Sequence, residues 1–301
     1  MAAAQPPEPA DSATVILLRE PDPGRCEVLL VERHASSRTL AGAHVFPGGL
    51  VDTSDSAPAL LAAATDLTPP TAATRRREDL APEPALAFWI AAIRELFEET
   101  GILMATLDGT PLDFGDSALA ARFRAHREAL LAGELSFADL VERERLRLAT
   151  DCLEYFSRWI TPVNAPRRYD ARFFVAELPA GQEAVHDGRE TASVAWLAPA
   201  VALERTQAGA LTLAPPTVRT LEDLRDLGTT ACIVEAARAR LFPPVLPKVV
   251  ELGGRMTLLY PGDVAYARAV PGEPAGEDAP GPRNRLVLDG SVWRSIRLPA
   301  A

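Results

Sequence analysis

Cysteine is scarce in this chain and basic residues are outnumbered by acidic ones, 31 to 41, and each imbalance removes a class of function. The three cysteines, Cys26, Cys152 and Cys232, lie far apart and form no CxxC pair. That argues against a disulfide scaffold or a zinc site and for reduced thiols in a cytoplasmic protein. The formal net charge is -10 and the pI is near 5.0, so no nucleic-acid partner is expected, because phosphate backbones call for a basic face that releases counterions. Aromatics are few, and the plentiful Ala, Arg and Pro carry little functional weight. Long apolar runs are missing too. Val15 to Leu18 is too short for a signal h-region or a membrane span, and the start "MAAAQPPEPADSA" has no basic n-region. The ending "LPAA" is neither an SKL-type tripeptide nor a lipidation box. A cytoplasmic, non-membrane protein is the expectation.

What is present is enough for a globular core, with 48% hydrophobic residues in a chain long enough for one large or two modest domains. Residues 1–12 are Pro/Ala-rich and expected to fray. "TVILLRE" and "CEVLLVERH" flank the Pro/Gly turn "PDPGR" and predict a hairpin; "AGAHVFPGGLVD" ends a strand in a Pro-Gly-Gly turn. The stretch 56–84 reads as an inserted helix plus loop, followed by a helix over 85–100 that stops at Gly101. Two helices over 117–157, the second capped by Ser136 and Asp139, predict a helical insertion at 111–157. "RWITPV", "ARFFVAEL" and "VAWLAP" read as strands, 199–241 as mainly helical, and the tail as four strand-like runs. The expected organisation is a main domain over 13–205 and a helical and β extension over 206–301.

The segment "IAAIRELFEETGIL" holds the chemistry. At about 100° per residue, Trp89, Ile90, Ile93, Leu96 and Phe97 fall on one arc of a helix and Glu95, Glu98 and Glu99 on the other. Three carboxylates so close repel one another, by more where water is partly excluded. Arg94 can pair with Glu98 at i,i+4, but one guanidinium cannot neutralise three acids. A divalent cation can, and hard oxygen donors without a His/Cys set suit Mg²⁺ or Mn²⁺. The alternative is a solvated acidic helix face.

Arg94-Glu95-Leu96-Phe97-Glu98-Glu99-Thr100-Gly101-Ile102 matches the second half of the Nudix box, G-x5-E-x7-R-E-U-x-E-E-x-G-U, and the chain resembles the Nudix hydrolases. The resemblance implies an α/β fold, an α/β/α sandwich around a mixed central sheet. It also implies that Glu98 and Glu99 are metal ligands, that Glu95 is a ligand or a base, and that Arg94 holds the carboxylates in place. A backbone oxygen of the Pro47-Gly48-Gly49 turn, from Gly48, would join the metal, since glycine lets backbone approach a ligand closely. The first half of the box is displaced by the insert. Asp55, six positions after Gly49, stands where the family has Glu, with Asp52 nearby; both read equally as polar turn residues. A distal Glu often completes such sites, and Glu190 is chosen over Glu183, the alternative for either being an ordinary loop carboxylate.

"LLVERHASSRTLAGAHVFPGG" resembles the signature upstream of the box in coenzyme A diphosphatases, L-L-T-x-R-[SA]-x3-R-x3-G-x3-F-P-G-G, with Val31 and His34 departing from it. The long insert, "RWITP" and "RRYDARFF" are most similar to the branch called Nudix motif 19. The implied substrate is coenzyme A or acyl-CoA, a polyanion for which arginine forks suit the phosphates. Arg33, Arg38, Arg167 and Arg168, with Gly48 and Gly49, are the substrate-binding candidates. Hydrolysis of NADH, ADP-ribose or a nucleotide sugar, or ligand sensing without turnover, remain open. A homodimer is among the assemblies the family implies.

Overall fold

The hairpin predicted from the "PDPGR" turn forms: β1 (Ala10–Arg19) and β2 (Glu27–Arg33) run antiparallel, with Leu18 opposite Val28. The computed structural model describes residues 6–35, 41–65, 67–76, 81–239, 243–276 and 280–298. Residues 10–12, expected to fray, belong to β1, where the Ala10 N–H donates to the Arg168 carbonyl (2.9 Å) and Ser12 faces Leu50.

The chain continues through β3 (His44–Val45), β4 (Gly48–Leu50), α1 (Pro58–Ala63), α2 (Pro69–Arg76) and α3 (Pro82–Thr100). Next come β5 (Ala105–Leu107), β6 (Thr110–Pro111), α4 (Ser117–Ala132), α5 (Phe137–Arg143) and β7 (Leu146–Leu148). β8 (Glu154–Ile160), β9 (Tyr169–Glu177) and β10 (Thr191–Leu197) return to the sheet. α6 (Pro199–Gln207), α7 (Pro215–Leu227) and α8 (Thr230–Ala239) follow. The tail supplies β11 (Lys248–Leu252), β12 (Arg255–Leu259), β13 (Arg283–Asp289) and β14 (Val292–Leu298).

Among the described residues, seven strands make the central sheet, in the order β10-β2-β1-β9-β8 with β3 beside β2 and β4 beside β1. β1 and β9 are parallel, and the other pairs antiparallel. Because side chains alternate along a strand, β1 sends Ala13, Val15 and Leu17 to one core, shared with α3, and Ile16 and Leu18 to the other. β9 divides likewise, Phe174 and Ala176 against Phe173 and Val175. The result is the α/β sandwich with a mixed central sheet that the sequence implies. No helix among the described residues is long and apolar enough to cross a membrane.

Two expectations are corrected. The insert 56–84 holds two short helices rather than one, residues 66 and 77–80 lying outside the described residues. The second helix of the insertion stops at Arg143: Arg145 takes φ 52°, and Leu146-Arg147-Leu148 then alternates buried, exposed, buried as β7, antiparallel to β5. "EYF" opens β8 instead of closing that helix. The residues after 205 form the helical and β extension, and it packs against the central sheet. Leu213, Val218, Leu221, Ile233, Leu258 and Leu286 complete the second core against Ile16 and Val28, so they form one layer of the sandwich.

Candidate active site

α3 starts with Pro82 at N1, where a missing N–H costs nothing, and ends at Gly101, whose φ of 75° is open to glycine at little strain. From Ala85 to Ile93 every residue is buried, on both arcs rather than the single arc predicted, because the helices of the insert cover its back. Trp89 anchors it, donating from Nε1 to the Leu153 carbonyl (3.0 Å) and packing on Phe174 at 4.7 Å between ring centroids. Only the last turns reach open space.

There Glu95, Glu98 and Glu99 line a cavity of about 1000 Å³. Gly48, Gly49, Arg33, Arg167 and Glu190, all singled out in the sequence, line it as well. The structure thus brings eight of the chosen residues together. Arg94 sits just behind. Its Nε and Nη2 grip the two oxygens of fully buried Asp55 (2.8 and 2.9 Å), Nη2 also reaches the Leu50 carbonyl (2.9 Å), and Nη1 donates to Glu95 (2.8 Å) and Glu98 (3.4 Å). Asp55 also accepts the Asp52 N–H (2.8 Å), and Asp52 caps the short helix Thr53–Ser56. Neither aspartate lines the cavity; Asp55 is the anchor that fixes Arg94.

The Pro47-Gly48-Gly49 turn lies against the carboxylates. The Gly48 N–H donates to Glu99 Oε2 (3.0 Å), and a Cβ on Gly49 would stand 2.4 Å from the Glu95 carboxyl, closer than any side chain tolerates. Glycine is required at that position for Glu95 to lie where it does.

Arg168 and Glu183 fall elsewhere. Arg168 donates to the carbonyls of Thr161 (3.1 Å) and Pro7 (2.9 Å), tying down the start of the chain instead of facing the cavity. Glu183 is exposed and lines no part of it, whereas Glu190 does. Arg38 lies outside the described residues.

Burial and mutual repulsion raise all three helix carboxyls. Glu95 is pushed up to about 7 by burial, with Glu98 and Glu190 adding repulsion against the pull of Arg94. Burial likewise raises Glu98, partly offset by Arg94, and raises Glu99 well above the carboxylate range, aided by Glu95 and offset by the Gly48 N–H. That pattern is one of negative charge without enough compensation. Among the described residues no three His, Cys, Asp or Glu side chains converge as a ready-made cage. Glu95 and Glu98 lean to Arg94, and Glu99 to Gly48. The donors are nevertheless hard oxygens in excess of their cationic neighbours, and they fit a divalent cation of the Mg²⁺ or Mn²⁺ kind.

The far wall of the cavity is apolar. Phe46, Trp159, Phe173 and Tyr260 stack edge to face or tilted, with centroids 6.0 to 6.4 Å apart, and Pro215, Pro216, Pro247 and Leu258 extend the apolar surface. These residues come from at least five parts of the chain; Phe46, Trp159 and Phe173 lie in stretches quoted from the sequence, but nothing local in those stretches shows that the rings meet.

The description of the NUDT19 Nudix domain family fits residues 9–224, crossing both inserted segments. The chain is 30% identical over 291 residues to acyl-coenzyme A diphosphatase NUDT19 of Gallus gallus, covering 82% of this chain and 75% of that protein. The Homo sapiens protein of that name is 25% identical over 287 residues, covering 82% and 74%. The crystal structure of a NUDIX hydrolase from Alicyclobacillus acidocaldarius matches with a TM-score of 0.58 at 27% identity, covering 80% of this chain and all of that one. A family match that takes in the carboxylate helix, the glycine turn and the sheet beneath them makes this chain a member of the NUDT19 Nudix domain family, a Nudix hydrolase acting on diphosphate bonds.

Proposed function

We propose that the protein is a Mg²⁺- or Mn²⁺-dependent diphosphatase of coenzyme A or acyl-CoA, releasing 3',5'-ADP and (acyl-)4'-phosphopantetheine. The observation that carries this reading is the continuity of the cavity, from carboxylates and arginines at one end to aromatic and proline side chains at the other. At about 1000 Å³ it stands at the upper end of small-molecule sites. A bare diphosphate would occupy its polar end alone, whereas coenzyme A carries phosphates beside a long, weakly polar arm. The names of the chicken and human relatives agree with it.

In this reading Arg33 and Arg167 bind phosphate oxygens through their planar forks. Glu98 and Glu99, with Glu95 and the Gly48 carbonyl, hold the cation. When bound, the cation supplies neutralisation of the charge that develops across the diphosphate. Glu95, pressed against Gly49 and tethered by Arg94, takes the proton of the attacking water, and Glu190 approaches from the opposite loop. Water oxygen bonds to one phosphorus, the bridging P–O bond breaks, and its electron pair leaves with the second phosphate. Arg94 keeps Glu95 and Glu98 aimed, with Asp55 fixing Arg94 in turn.

The test is to offer the purified protein coenzyme A, acyl-CoA, NADH, ADP-ribose and sugar nucleotides with Mg²⁺ or Mn²⁺, and to identify products. Release of 3',5'-ADP from the coenzyme A compounds, at the highest kcat/KM of the panel, is expected. Preference for NADH or ADP-ribose would overturn the substrate, and no turnover of any member would overturn the proposal.

A further inference from the structure

The first helix of the helical insertion, α4, reaches the end of α3. Arg127, midway along α4, is buried, and its Nε donates to the backbone carbonyl of Glu98 (3.0 Å). Its Nη1 lies 3.2 Å from where a Cβ on Gly101 would stand. Its Nη2 is buried without a hydrogen-bond partner among the described residues, a costly state for a guanidinium N–H that calls for an explanation. Burial lowers the Arg127 guanidinium from its ordinary range, against the pull of the Asp187 and Glu99 carboxylates.

The same region of α4 also holds the loop between β9 and β10. Arg189 Nη1 donates to the Leu131 carbonyl, one turn beyond Arg127. Val185 N–H donates to the Thr100 carbonyl at the last residue of α3 (2.8 Å). Asp187 ties the loop together, accepting from the backbone N–H groups of Arg189 (3.1 Å), Glu190 (3.1 Å) and Thr191 (2.8 Å) and from the Thr191 hydroxyl (2.7 Å). Both Asp187 and Glu190 line the cavity. One guanidinium therefore holds the carbonyl of Glu98 and attracts, without an ion-pair contact, the aspartate that fixes the backbone of Glu190, on the same helix whose Leu131 carbonyl takes Arg189.

We propose that Arg127 is a positioning residue, bracketing the end of α3 to the Glu190 loop so that carboxylates from two parts of the chain keep a set separation. The inference rests on the reading of Glu98 and Glu190 as parts of one site. A plain alternative is a helix C-terminal cap, in which a cation satisfies the last carbonyls of α3 and nothing more. A cap would disturb at most Val185, which bonds to the Thr100 carbonyl, and would leave 187–191 unaffected.

The test uses the full chain carrying Arg127→Met, Arg127→Lys, Asp187→Asn and the Met/Asn double substitution, with Arg124→Met on the exposed face of α4 as control. Hydrogen exchange of residues 187–191 is followed beside kcat and KM on the best substrate. Arg127→Met is expected to speed loop exchange and to lower kcat about tenfold with KM within about twofold, as a small misplacement of catalytic groups does. Arg127→Lys should recover part of both, the double variant should be no slower than the worse single one, and Arg124→Met should match the wild type. Unchanged loop exchange, unchanged kcat in a folded Arg127→Met, or effects that multiply in the double variant would each overturn the bracket. Should Arg127→Met fail to fold, Arg127→Lys and Asp187→Asn decide by the same readouts. A wild type that turns over none of the coenzyme A compounds defeats the proposed function instead, and loop exchange then still decides whether Arg127 braces the loop.

Discussion

The polar end of the cavity comes largely from one short segment, Arg94 to Glu99, whereas the apolar end draws Phe46, Trp159, Phe173 and Tyr260 from four regions of the chain. The first is held by hydrogen bonds and ion pairs with defined partners: Asp55 on Arg94, Gly48 on Glu99. The second is held by ring packing and by the C-terminal layer closing over the sheet. Directional contacts fix reacting groups to fractions of an ångström, while packing fixes shape and tolerates substitution better. Substitutions at the polar end should therefore strike kcat or the fold, and those at the apolar end should strike KM and substrate choice.

The sharpest break of that contrast is Glu98→Gln, which keeps the size and removes the charge. Turnover should fall by at least about 10²- to 10³-fold, a loss typical of removing one group that stabilises developing charge, with thermal unfolding little changed. Asp55→Asn comes next. It removes one partner of a buried ion pair whose side chains are 0% and 11% exposed. A cost of about 3 kcal/mol in denaturant unfolding is expected, together with lower kcat as Arg94 loosens. Gly49→Ala should lower kcat about tenfold by pushing Glu95 aside; turnover equal to wild type would mean that the Glu95 position is unimportant.

At the other end, Trp159→Ala should raise KM for an acyl-CoA several-fold and leave kcat nearly unchanged, and a short nucleotide sugar should be affected less. Equal losses for both substrates would erase the contrast between the two ends. The smallest effect is one of pH. The Glu95 carboxyl, pushed up to about 7 from 4.5, binds its proton more tightly when the protein is folded than when it is unfolded. Metal-free protein should therefore lose stability as pH rises from about 4.5 through about 7, by a few degrees in Tm. Glu95→Gln should show a smaller fall, what remains coming from Glu98 and Glu99, which burial also raises, and saturating Mn²⁺ should suppress it. A wild-type profile identical to the variant's would show that Glu95 is not destabilised by its surroundings.

How much the sequence revealed follows the same division. The carboxylate patch was legible because i, i+3 and i+4 spacing acts within one turn, and the hairpin because its turn residues sit between its strands. The Asp55–Arg94 clamp was not, since its partners lie 39 residues apart and Asp55 resembles any polar turn residue. Nothing in the sequence marks Arg127, whose partner carbonyl at Glu98 lies 29 residues away. The end of α5 was misplaced because the apolar residues of 146–156 suit a helix as well as strands until the backbone reverses at Arg145. The packing of the extension was not legible because nothing local shows that Val218, Leu258 and Leu286 complete the core begun by Ile16 and Val28.

The most direct test is an anomalous difference map from a crystal soaked with Mn²⁺ and a slowly hydrolysed coenzyme A analogue. The account expects a peak within ligand distance of the Glu98 and Glu99 carboxylates, beside the analogue's diphosphate. A peak elsewhere, with the end of α3 remote from the bound phosphates, would contradict it.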